Sequence, residues 1–167
     1  FEDGVETAVE RLPSISLVAQ REGGFSENPS AYTCVPIDPC QPVIACIRTA
    51  REAGIPRAYI DLEVDPYEEQ TAVLPDPYAL KEVPLEKFAA ALLTGLPRPV
   101  EDGQQTDRIR NMAYQLHLLE LDCDHILCPC GIADWPWIRD AYLRRLPYPK
   151  PSPPPWTPET CRVAPDA

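Results

Sequence analysis

No apolar run in this sequence approaches the roughly 18–20 residues of a membrane-spanning helix, so no membrane partner is expected. The first residues supply neither the basic nor the apolar stretch of a secretory leader. The glycine turns that cradle phosphates or dinucleotides are missing, as is a Ser–His–acid order, which removes those signatures of nucleotide and serine-nucleophile chemistry. Positive charge is scarce too: 15 basic residues against 26 acidic ones leave a formal net charge of −11. That balance repels a phosphate backbone, so nucleic acid is not an expected partner. The carboxylates are spread through loops and helix starts rather than gathered in one tail, the pattern of a solvated surface. No internal repeat is visible.

What is present is enough chain, 167 residues, for one domain with a core. It begins at Phe1 and ends raggedly in polar residues, which reads as a piece of a longer protein. Seven cysteines (Cys34, Cys40, Cys46, Cys123, Cys128, Cys130 and Cys161) are odd in number and irregular in spacing. With no leader, that fits reduced thiols in a cytoplasmic protein better than a disulfide framework.

Along the chain, Val5 to Leu12 reads as a helix end stopped by Pro13, and Ser14 to Ala19 as a short strand. Arg21 to Tyr32 is a loop by its Gly, Asn and Pro content. Thr33 to Ile37 is a weaker strand, because Pro36 removes a ladder donor. Asp38 as cap, Pro39 in the first turn and a stripe of Val43, Ile44, Ile47 and Ala50 predict a helix, ended by Gly54 and Pro56. Arg57 to Val64 then reads as a strand, completing a βαβ unit and implying a parallel sheet. Asp65 to Val83 is an acidic, Pro-rich excursion with a short helix near Tyr78 to Glu82, and Leu85 to Thr94 a further helix.

The organising stretch is Gln104 to Leu146. Ile109, Met112, Ala113, Leu116 and Leu119 give a long helix one buried face, with Arg108, Asn111 and Gln115 off that stripe. Asp124 to Cys130, apolar on both sides, reads as an interior parallel strand. A turn at Gly131 to Asp134 leads into a last helix, Trp135 to Arg145, with Ile138, Tyr142 and Leu143 inward. The expected fold is a three-layer α/β domain over 1–146, its mostly parallel sheet flanked by helices. A Pro-rich tail over 147–167 is extended and polyproline-like, a linker or strap that can also meet a protein partner.

The run DPCQPVIACIRTAREAGIPRAYIDL, then DRIRNMA, then HILCPCGIADWPWI resembles the central and C-terminal parts of the TraB/ChaN/Tiki-like superfamily, which includes erythromycin-esterase-like and haem-uptake members. Asp107-Arg108 and Met112-Ala113 hold the spacing of that family's acid–Arg and Met-Ala pairs. Asp61 sits at the polar position of its "fiDl"-like strand. Gly131-Ile132-Ala133 is followed by Asp134 where the family's second Gly-x-x-His has its imidazole, and the first copy with its Glu would lie upstream of Phe1. The resemblance implies an α/β fold and metal-assisted hydrolysis. Asp134 would be the ligand to a divalent ion such as Mn²⁺ or Co²⁺, and Arg108 and Asp61 the catalytic side chains. With half the site missing, the expected state is catalytically silent. The alternatives are a non-catalytic binding or scaffold module for a small molecule or peptide, and a haem protein whose axial candidates include His117 and His125.

The residues themselves also carry plainer roles. Asp134 can cap the backbone of Trp137 or Ile138 instead of holding a metal, and Arg108 can sit in a salt bridge instead of gripping an anion. Trp135 and Trp137 can wall a pocket or simply pack. Cys128-Pro129-Cys130 puts two thiols on one strand face with His125 on the other, short of the four ligands of structural zinc.

Overall fold

The computed structural model describes residues 2–21, 32–64, 67–68, 74–148 and 159–162. Most of the expected loop after Arg21 and most of the Pro-rich tail lie outside them. The chain divides into two compact units, Phe1–Tyr59 with Glu63–Pro66 and Pro151–Ala167, and Ile60–Leu62 with Tyr67–Lys150.

In the first unit, α1 (Glu2–Glu10) and α2 (Pro42–Glu52) accompany three strands: β1 (Ser16–Arg21), β2 (Tyr32–Ile37) and β3 (Glu159–Arg162). The sheet has the order β2-β1-β3, and both pairings are antiparallel. Ser16 stands opposite Ile37 and Val18 opposite Val35, so the period of two puts these residues on one face. Val18 and Ile37 there join Val5, Ala8 and Val9 of α1 and Ile44 and Ile47 of α2 in a buried core. Pro36 is tolerated because β2 is an edge strand. The rest of the predicted α2 stripe is not buried; Val43 is 53 % exposed.

The expected three-layer, mostly parallel α/β fold is therefore wrong. Neither Arg57 to Val64 nor Asp124 to Cys130 enters a ladder, so there is no βαβ crossover among the described residues. The sheet is instead completed by Glu159–Arg162, out of the Pro-rich end of the chain. Both unladdered stretches had the right β-type composition, but composition supplies no neighbouring strand.

The ends of α2 follow local rules. Asp38 does not cap it; its carboxylate accepts from the Cys40 N–H at 2.8 Å, and Pro42 takes the first-turn role expected of Pro39. At the other end Gly54 has φ +65, its N–H donates to the Arg51 carbonyl, and the Ile55 N–H donates to that of Ala50. This is the paired bonding of a Schellman motif. A Cβ on Gly54 would meet nothing within 4 Å, so any penalty there is one of backbone alone. Gly54→Ala is expected to cost about 1 kcal/mol, whereas Gly95→Ala, with open space and no positive φ, is neutral or slightly stabilising. Thermal unfolding of the two variants checks this.

Charged side chains tie the edge of the first unit. Arg57 donates from Nε to Glu6 at 2.8 Å, the Tyr59 hydroxyl donates to the same carboxylate at 2.9 Å, and Arg51 lies 3.6 Å from it. The Arg57 hydrogen bond, against burial and with help from Tyr59 and Arg51, holds the Glu6 pKa below its ordinary value. A depressed carboxylate contributes stability that is whole above its unfolded pKa and is lost as pH falls through the folded one. The urea midpoint of the wild type should exceed that of Glu6→Gln at neutral pH, and the gap should close on acidification below the ordinary carboxylate range.

The second unit contains a 3₁₀ turn (Pro77–Lys81), α3 (Leu85–Gly95), α4 (Gln104–Leu119) and α5 (Trp135–Arg144). Asp76 caps the 3₁₀ turn by accepting from the Tyr78 N–H at 2.9 Å. The core lies between α4 and α5: Ile109, Met112 and Ala113 against Ile138 and Ala141, with Ile60, Leu116, Trp137 and Tyr142 at its margin. The periodicity of α4 placed its apolar face correctly. Leu143, expected inward, is 63 % exposed. Among the described residues no helix is long and apolar enough to cross a membrane.

Candidate functional site

Two faces of α4 are buried, and the second one is polar. Gln105, Arg108 and Asn111 recur every three residues, which aligns them beside the apolar stripe. Arg108 and Asn111 are as buried as the core around them. Sequence alone offered Arg108 and Asn111 as residues off the stripe; a solvated polar row and a buried one look alike until their partners are known.

Those partners come from the stretch that read as a strand. The Arg108 Nε and Nη2 groups donate to the two carboxylate oxygens of Asp61 at 3.0 and 2.5 Å. The Asn111 side-chain amide donates to the Ile60 carbonyl at 3.0 Å, and Asp61 also accepts from the Leu62 N–H at 2.8 Å. Residues 60–62 are thus held by side chains of α4. On its other side Arg108 lies 5.1 Å from the centre of the Tyr67 ring, with Nη1 3.4 Å from the hydroxyl. Tyr67 was not anticipated, because no motif in the sequence around it marks it. Burial works against the guanidinium charge, but the Asp61 hydrogen bonds, with the charges of Asp61, Tyr67 and Asp134, outweigh it. The Arg108 pKa therefore lies above its ordinary value.

Asp134 comes to the same place from the start of α5. It does not cap the helix with its side chain; the Trp137 and Ile138 N–H groups reach its backbone carbonyl at 3.0 and 2.9 Å. Its carboxylate instead accepts from the Gln105 side-chain amide at 3.0 Å. All three residues singled out from sequence, Asp61, Arg108 and Asp134, are therefore brought to one end of α4.

The donor set at this end does not fit a divalent metal. Both oxygens of Asp61 are engaged by Arg108 and one oxygen of Asp134 by Gln105, which leaves too few free carboxylate oxygens to share an ion. The thiols nearby are held in their neutral form: burial, with Cys128 and Asp134, pushes Cys130 up to about 11, and burial raises Cys128 as well. Among the described residues no group of three or more His, Cys, Asp or Glu is close enough to share an ion.

The remaining candidates disperse. His117 stacks on Tyr142 with ring centres 4.3 Å apart, and its two nitrogens lie 3.0 Å from Glu120 and from the Tyr142 carbonyl. His125 is exposed beside its own chain. Trp137 packs against the α4–α5 core, with Arg98 5.7 Å over its ring, whereas Trp135 is 44 % exposed. An open apolar depression of about 250 Å³ is lined by Leu74, Pro75, Ala91, Leu92, Gly95 and Leu96, and none of the three polar residues reaches it.

Comparison of the chain with family models, curated proteins and solved structures found no match.

Proposed function

We propose that this chain acts by binding, as a non-catalytic module in which Arg108 pins residues 60–62 to α4 instead of acting on a substrate. The observation that carries this is the bidentate contact of Arg108 with Asp61. One edge of the fork and one face of the guanidinium are already occupied, and the pair is neutral, so it offers little pull on a developing oxyanion. A cytoplasmic setting belongs to the same proposal and rests on the odd, irregularly spaced cysteines.

A second reading keeps the metal-assisted hydrolysis implied by the resemblance to the TraB/ChaN/Tiki-like superfamily. Its support is the convergence of Asp61, Arg108 and Asp134. Titration calorimetry with Mn²⁺ and Co²⁺ separates the two. The binding module takes up neither ion saturably as the wild type, and gains affinity only as Asp134→His. Ester or peptide hydrolysis by the wild-type chain that depends on either ion would overturn the binding-module reading.

A further inference from the structure

We propose that the run from Asp124 to Cys130 is a docking edge for an extended peptide, apolar in the middle and basic at its ends, which joins it as an added β-strand. This deepens the binding-module reading and names the chemistry of its partner.

The backbone is the first argument. From His125 to Cys130 the chain makes neither turn nor bend, and no residue there has a positive φ. No backbone-to-backbone hydrogen bond ties this run to any described residue. Its accessibility then alternates as in a half-buried strand: Leu127 and Pro129 are exposed, Cys128 and Cys130 half-buried, with Cys130 against the α4–α5 core. Leu127 is 88 % and Ile126 38 % exposed. An apolar, strand-forming run whose backbone groups pair with no described residue is the template on which strand addition works. Successive residues of a strand direct their N–H groups to opposite edges. The edge of Ile126, Cys128 and Cys130 is uninterrupted, whereas Pro129 breaks the other, so the partner pairs along the former.

Charge selects the occupant. Glu120, Asp122 and Asp124 lead into the run, and Asp134 follows it. The Glu120 carboxylate is engaged by Tyr142 and His117, with Arg145 also offsetting its charge, which leaves Asp122 and Asp124 to carry the charge at this end, while Arg108 is matched by Asp61. Both ends of the edge are therefore acidic. A second copy pairing antiparallel would set acid against acid, whereas Lys or Arg flanking β-branched residues meets complementary charge at each end.

The test uses the whole chain under reducing conditions with the peptide Lys-Lys-Val-Thr-Val-Thr-Val-Lys-Lys, followed by calorimetry and amide hydrogen exchange. Saturable binding is expected, with exchange slowed at Ile126, Cys128 and Cys130. The same peptide with Glu for every Lys should bind at least about tenfold more weakly. Cys128→Pro, which removes a donor from the pairing edge, should abolish binding, and Pro129→Val should keep it. The proposal is overturned by absence of saturable binding, by binding that leaves those amides unchanged, or by equal affinity for the Glu peptide. It is equally overturned if the chain self-associates and protects those amides without peptide. Loss of peptide binding without ion-dependent hydrolysis defeats this proposal alone; such hydrolysis defeats the reading beneath it.

Discussion

Asp61→Asn is expected to destabilise the second unit by about 2–3 kcal/mol, and Arg108→Met by clearly less. The asymmetry comes from exposure: the Arg108 side chain is 11 % exposed and that of Asp61 51 %. Removing the acid leaves a buried guanidinium facing the Asn amide, whose oxygen accepts one of the two hydrogen bonds while its NH₂ sets donor against donor at the other, with Tyr67 as a weak remaining partner. Removing the cation leaves a carboxylate that water can reach and that still accepts from the Leu62 N–H. Methionine also keeps much of the apolar stem that packs along α4. The double variant should recover a good part of the Asp61→Asn loss, because neither an unpaired charge nor a misdirected amide is then buried. Urea midpoints of the four proteins form the cycle. Equal single losses, or strict additivity, would show that Asp61 and Arg108 do not act as the pin described above.

The second large effect lies in the core between α4 and α5. Ile138 is 1 % exposed among Ile109, Met112, Ala113 and Ala141. Ile138→Ala should cost about 3 kcal/mol, the lost transfer energy plus the cavity that two packed helices cannot close. Leu143 lies on the same helix and is 63 % exposed, so Leu143→Ala should move stability by no more than about 0.5 kcal/mol. Equal losses at the two positions in urea unfolding would contradict the facing of α5.

Legibility in the sequence tracked how local the cause was. The extent of α4 and the turn at Gly54 depend on residues within a few positions of one another. Asp61, Arg108 and Asp134 lie at one end of α4 without the parallel sheet that was expected to carry them. Asn111, Gln105 and Tyr67 were missed. The three-residue spacing of Gln105, Arg108 and Asn111 was the available signal, and it does not say whether water or protein lies opposite.

By itself the sequence determined where helices run, which face of α4 is apolar, and that the chain is strongly acidic, because periodicity and charge are properties of neighbouring residues. Tertiary structure alone decided which strand-forming runs become strands. A ladder needs a second backbone at the right spacing, and β1 found its partners in β2 and in Glu159–Arg162, far along the chain. Residues 60–62 were taken instead by side chains of α4, and the run ending at Cys130 has no backbone partner among the described residues.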